Sequence, residues 1–190
     1  MADVSYNIPD LRPGEVFRVE QTIKRSRFIA SVGHTLGVEE AKAFIEQIKA
    51  EFEDARHNCW AYCAGAAGST DRIGASDDGE PHGTAGRPML TAVTHSGIGE
   101  VTVVVTRYFG GILLGTGGLV KAYQSSVKMA LEAVPTRIRT KTKRIKFSVE
   151  HRFVNQVLRK IETANGRILE KNFDMAVSYT HLTLPTIPLV

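Results

Sequence analysis

Two short stretches of the chain hold the side chains with chemical reach. The first, SDDGEPHGTAGRPM from Ser76 to Met89, sets Asp77, Asp78, Gly79 and Glu80 in succession with His82 close behind. Carboxylates crowded in this way suit a divalent-metal site or an acid–base pair, so a metal-dependent hydrolase built on Asp77, Asp78, Glu80 and His82 is one reading. Their order fits no metal loop, because a calcium-binding EF-hand alternates its oxygen ligands and closes on a distant glutamate. No metal is therefore expected. The competing reading is an ordered turn whose carboxylates cap backbone N–H groups and pair with an arginine such as Arg72, Arg87 or Arg107.

The second stretch is RYFGGILLGTGGLVKAY, from Arg107 to Tyr123. A strand runs into a glycine-rich loop and then a helix, an arrangement in which exposed N–H groups and the helix dipole attract phosphate. Two known phosphate loops do not fit. Lys121 is neither preceded by glycine nor followed by serine or threonine, as a Walker loop needs, and Val120 stands where a dinucleotide fingerprint needs its third glycine. Arg107 and Lys121 nevertheless put two cations near a helix start, which the dipole disfavours unless an anion or carboxylate is present. Either the loop at 110–118 holds phosphate, as in a phosphate- or nucleotide-binding enzyme, or its glycines allow close helix–sheet packing while Arg107 meets Asp77 or Asp78.

A nucleophile is less well supported. There is no G-x-S-x-G elbow, and peptidase or kinase chemistry finds no motif. Cys59 and Cys63 share a strand with His57, which sets them about 13 Å apart, too far for the ~4.4–6.8 Å of a disulfide or for one zinc. Aromatic residues are 7% of the chain and fall mostly at core spacings, so no base-stacking platform is indicated. No cofactor and no catalytic residue are expected.

The elements that must position these stretches follow from periodicity. Glu15–Glu20 and Arg27–Gly33 read as strands, with a hairpin through Lys24 to Ser26. Val38 to Phe52 reads as a helix burying Val38, Ala41, Phe44, Ile45, Ile48 and Phe52. His57–Ala64 alternates as a half-buried strand, and VTVVVTR from Val101 to Arg107 is apolar enough on both faces to be central. Between Gly65 and Gly118 lie 13 of the 17 glycines, so tight turns dominate there. A short helix through Pro88 and Val93, and a longer one from about Gly117 to Val134, complete this part. A strand over Arg144–Glu150, a helix over His151–Ala164 and a strand over Arg167–Lys171 follow.

At 190 residues, 43% hydrophobic and 23% charged, the chain is globular and reads as cytoplasmic and soluble, with no apolar run long enough to span a membrane. Its charge is uneven. The net charge of +4 comes from the last third, where Arg137, Arg139, Lys141 and Lys143 alternate with neutral residues and Arg144 and Lys146 follow. An extended chain would carry these as a basic ribbon, either a solvated linker or edge strand, or a surface for the phosphates of RNA.

Together, the two stretches resemble the paired signature of the IMPACT family, and SRFIA and DARHNCWAY match it in order and spacing. The likeness runs from about Glu15 to Val134 and weakly on to about Val177, and it favours the bacterial branch, because the RWD module that opens eukaryotic members is absent. The resemblance implies an α+β fold. A ribosomal protein S5 domain 2-like first domain over 1–136 and a basic linker over 137–143 would lead to an incomplete ferredoxin-like second domain over 144–177, similar to a C-terminal domain of elongation factor G. It implies a non-enzymatic regulator of translation, whose partner is the translation machinery, a regulatory protein scaffold or RNA. The signature residues Asp77, Asp78, Gly79, Glu80, Gly83, Gly86, Arg107, Tyr108, Phe109, Gly110, Gly111, Gly115, Gly117, Gly118 and Lys121 would shape the partner-binding face. The nucleic-acid candidates are Arg137, Arg139, Lys141, Lys143, Arg144 and Lys146. The last residues, SYTHLTLPTIPLV from Ser178 to Val190, depart from the family and look like a non-native tail.

Overall fold

A strand apolar on both sides, as Val101–Tyr108 is, is stable only with neighbours along both edges and cover on both faces. The computed structural model, which describes residues 5–140, 142–164, 166–170, 172–173 and 177–185, supplies both. Two compact units form, Tyr6–Ile138 and a second drawn mainly from Arg139–Val190. Through residue 140 the elements run β1 (Ser5–Pro9), β2 (Phe17–Ile23), β3 (Ser26–His34), α1 (Val38–Glu51), β4 (His57–Cys63), β5 (Ile73–Ser76), α2 (Gly86–Thr94), β6 (Val101–Tyr108), α3 (Thr116–Ala133) and β7 (Thr136–Thr140). Strands β2-β3-β6-β4-β5, in that order, make an antiparallel sheet with β6 in the middle.

Alternation along β6 divides its side chains between two cores. Val101, Val103 and Val105 pack with Met89 and Val93 of α2 and with Tyr123 and Val127 of α3. Val104 turns the other way, onto Phe44, Ile45 and Ile48 of α1. Burying one such aliphatic side chain contributes about 1.5–3 kcal/mol, whereas ordinary helix propensities differ by at most about 0.7 kcal/mol per residue, so packing holds α1 in place. Its start is closed from within, because the Glu40 carboxylate accepts the Leu36 N–H at 2.7 Å.

The end of the sheet nearest the glycine-rich loop carries a transverse row. Gln21, Phe28, Arg107 and His57 stand directly opposite one another across β2, β3, β6 and β4, and therefore share one face. At one end of the row the Gln21 amide donates to Ser126 Oγ at 2.6 Å and Ser125 Oγ at 2.9 Å, tying β2 to α3. Two strands of this unit, β1 and β5, were not foreseen, and β7 takes up the start of the ribbon read as a linker or edge strand. β5 is a four-residue edge strand in the glycine-rich region, and β1 pairs with β7 far along the chain, where the Asp10 N–H also donates to the Pro135 carbonyl at 2.8 Å.

In the second unit β8 (Thr142–Val149) leads through a 3-10 turn (His151–Phe153) into α4 (Val154–Thr163), followed by β9 (Arg167–Ile168), β10 (Asn172–Phe173) and β11 (Val177–Pro185). β11 pairs antiparallel with β8, β9 and β10. Ser178–Pro185, part of the segment expected to be non-native, thus belongs to a strand. The ribbon at 137–143 lies in β7 and the start of β8; Lys141, the side chains of Lys143 and Arg144, and residues 186–190 lie outside the described residues. No helix among the described residues is long and apolar enough to cross a membrane.

Candidate functional site

Asp77 folds the first signature stretch onto itself. The helix α2 opens at Ala85 with no side-chain cap of its own, and Asp77 supplies one from across the loop. Its Oδ1 accepts the N–H groups of Ala85 at 3.0 Å and Gly86 at 2.8 Å, and its Oδ2 accepts that of Gly83 at 2.7 Å. Gly86 is needed for this approach, since a Cβ there would stand 2.8 Å from the Ser76 carbonyl carbon. Burial would raise the Asp77 carboxyl, but the Gly83, Gly86 and Ala85 N–H groups, with His82 nearby, outweigh it and hold it below the ordinary value.

A carboxylate depressed in this way contributes stability that is complete above the unfolded value and lost as pH falls through the folded one. Asp77→Asn is therefore expected to cost about 2 kcal/mol at neutral pH, since charged hydrogen bonds are worth roughly 1.5–3 kcal/mol each and the amide keeps one acceptor. It should also flatten the acid limb of the stability profile below pH 3.8, the group's ordinary value. Urea unfolding of both proteins across that range measures both effects. An unchanged acid limb would show that Asp77 is not the group responsible.

Asp78 faces α1. Its Oδ1 accepts the Lys49 ammonium at 2.7 Å and its Oδ2 the Asn58 N–H at 2.8 Å, while its carbonyl receives the Nδ1–H of His57 at 3.0 Å. A carbonyl only accepts, so His57 Nδ1 carries a hydrogen and donates it here. Glu80 turns into the sheet. Its Oε1 accepts Arg107 Nη1 at 2.6 Å and the Tyr123 hydroxyl at 2.8 Å, with the side chains of Glu80 and Arg107 only 3% and 8% exposed. The Arg107 guanidinium stands 5.7 Å from the rings of both Phe28 and Phe109, and its Nε is buried with no acceptor among the described residues.

These contacts correct one expectation. Arg107 pairs with Glu80 rather than with Asp77 or Asp78, because the oxygens of those two are already occupied by backbone N–H groups and Lys49. The three carboxylates point to separate partners, and among the described residues no group of three metal-ligating side chains assembles. Lys49, Asn58 and Tyr123 escaped notice as site residues. Tyr123 closes the second stretch, but its buried α3 position reads as plain core.

The titratable groups here favour fixed protonation. Burial first, then the Cys59 thiol and the Glu80 carboxylate, push the Tyr123 hydroxyl well up, so it stays a donor. Burial pushes the Cys59 thiol up to about 12, and it donates to the Asp77 carbonyl at 2.9 Å. Cys63, also buried and free, is raised by burial as well. At neutral pH neither cysteine is a thiolate, the form that nucleophilic chemistry requires.

Beyond β6 the chain turns outward. The Tyr108 hydroxyl donates to Asp54 Oδ1 at 2.7 Å, and Phe109 is 54% exposed, followed by Ile112 at 40% and Leu113 at 82%. Gly110 lies against the β2–β3 turn, and Gly111 and Gly115 have φ of 83° and 73°. α3 starts after Gly115 with no side-chain cap; Gly117 and Gly118 fall in its first turn, and Lys121 is exposed on the helix. A cleft of about 560 Å3 opens beside Arg107, lined also by Asp54, Arg56, His57, Tyr108, Phe109 and Leu113. Neither the helix start nor Lys121 lines it. The two cations expected together are thus separate, one buried in a pair and one on an open helix face.

Gly79 (φ 85°) and Gly83 (φ 75°) sit at the turns of the Asp77 loop. Of the ribbon, Arg137 is exposed and stands 3.5 Å from Asp10, Arg139 has a partner of its own, and Lys146 is exposed.

Comparison with known proteins agrees with this layout. The Impact N-terminal domain family matches residues 24–131, which contain both signature stretches. IMPACT family member YigZ of Escherichia coli (strain K12) is 46% identical over 167 residues, 88% of this chain and 82% of the relative. An IMPACT family member of Haemophilus influenzae is 43% identical over 174 residues, 92% of this chain and 83% of the relative. A hypothetical protein of known crystal structure superposes with a TM-score of 0.70 at 43% identity, covering 97% of this chain and 87% of the other. On these matches, and on the loops that carry them, the chain belongs to the IMPACT family and is similar to YigZ.

Proposed function

We propose that the chain is a non-enzymatic, cytoplasmic regulator of translation that binds a protein, ribosome or RNA partner through the loop end of its first unit. Family membership supplies the translation theme. The site supplies the rest through one observation: each signature carboxylate is engaged inside the protein, while the loop that follows leaves Phe109, Ile112 and Leu113 outside. Side chains so occupied hold a surface in shape, and exposed apolar clusters mark interaction surfaces. The central antiparallel sheet with helices on both faces supports an S5 domain 2-like first unit. The β8–α4–β9 order supports a ferredoxin-like second one.

Ribosome co-sedimentation with the full chain tests this. The wild type is expected to pellet, Leu113→Asp to stay largely in the supernatant, and neutralising the ribbon at 137–146 to reduce the salt dependence by a log–log slope of about 0.7 per phosphate on single-stranded RNA. A protein that neither pellets nor alters the yield of a cell-free translation reaction overturns the proposal.

One observation favours a second reading. The uncapped start of α3 at Gly115 leaves first-turn N–H groups facing outward, where phosphate binds. Equilibrium dialysis with ATP, GTP and a dinucleotide decides it, with retention sensitive to Lys121→Ala as the positive result.

A further inference from the structure

The cleft beside Arg107 combines an unfinished hydrogen-bond site with an apolar shelf and a cationic rim. Glu80 binds only the Nη1 end of the guanidinium, and Nε has no acceptor among the described residues. An arginine meets a carboxylate best along one edge, through two parallel N–H bonds, and a buried donor left unpaired favours any group that completes it. Phe109 stands over this guanidinium and is itself more than half exposed, so an acceptor reaches Nε once that ring turns aside. The shelf is Phe109 with Leu113, both exposed and both in the lining.

The rim is positive. Arg56 is exposed at the cleft, and Lys24 and Arg25 are exposed in the β2–β3 turn whose backbone lies against Gly110. Asp54, the acid of the lining, is bound to the Tyr108 hydroxyl. We propose that this cleft docks an acidic segment of a partner protein. One carboxylate takes the Nε edge of Arg107, a neighbouring apolar side chain packs on Phe109 and Leu113, and further acids meet Arg56 and the Lys24–Arg25 turn. This rests on the partner-binding proposal above and narrows it. The exposed Leu113 decides for polypeptide over nucleic acid, since protein–nucleic acid interfaces are the more polar of the two and an aliphatic side chain offers a phosphate backbone nothing.

The test is selection of a random phage-displayed peptide library on the intact chain, followed by titration of the enriched peptides. Enriched sequences should pair Asp or Glu with Leu, Ile or Phe. Their affinity should fall by about tenfold or more with Arg56→Glu and with Leu113→Asp, each an exposed residue whose replacement leaves the urea unfolding curve in place. Higher salt should weaken them further. Enrichment without acidic residues, or acidic peptides that bind both variants as well as the wild type, overturns the proposal. So does a uridine oligonucleotide that binds with this sensitivity when no peptide does. Peptide binding with neither ribosome association nor any change in cell-free translation keeps this inference and removes the translation reading; an effect on cell-free translation with no acidic peptide enriched does the reverse.

Discussion

Glu80→Ala is expected to destabilise the first unit by about 3–5 kcal/mol, the cost of leaving a buried charge without its partner. The loss has two parts. Arg107, with its side chain almost wholly buried between Phe28 and Phe109, has no other carboxylate to turn to, because Asp77 and Asp78 are engaged elsewhere. The Tyr123 hydroxyl loses the same acceptor. Urea unfolding followed by far-UV circular dichroism reads the effect. Glu80→Leu combined with Arg107→Met should recover most of it, since a buried ion pair replaced by apolar groups of similar size is often neutral or better. A single Glu80→Ala that costs under about 1 kcal/mol would mean that the guanidinium escapes into water through the cleft, and that its burial is not enforced.

Gly110→Ala should cost about 3 kcal/mol, at the upper end of overpacking changes, while Gly111→Ala next to it should cost only about 1–2 kcal/mol. The two glycines are required for different reasons. A Cβ on Gly110 would stand 2.0 Å from the Arg25 carbonyl carbon and 2.4 Å from the Ser26 nitrogen, both backbone atoms of a tight turn. That turn cannot yield cheaply, because Lys24 and Arg25 already hold positive φ values of 46° and 65°. Gly111 has open space around it and needs only its φ of 83°. Thermal melts of the two variants give the order, and equal melting temperatures would contradict it.

Much of the frame was legible because it follows from periodicity. The apolar positions of α1 and the double-sided apolarity of β6 leave few choices, and both elements stand within a residue of where spacing puts them. β1 and β5 were not legible, and for β7 the sequence showed an extended ribbon but not its pairing with β1, since short strands take their identity from distant partners rather than from local pattern. Within the site, that a carboxylate would meet Arg107 was readable; which one was not. Asp78 and Gly79 take successive left-handed conformations, and this reversal sends Asp78 towards Lys49 and Glu80 towards Tyr123. The outward turn of Phe109 did not follow from spacing, because an aromatic residue at the end of an apolar strand reads as core; it entered the partner-binding face only through the family resemblance.

The shielding of Cys59 and Cys63 has a practical corollary. Thiols kept protonated and covered in β4, beside the central strand, are silent to alkylating reagents while the sheet stays shut. The protein therefore carries its own clock for rare excursions of that sheet, and the pace at which the two sulfurs become modified counts those excursions without any introduced label.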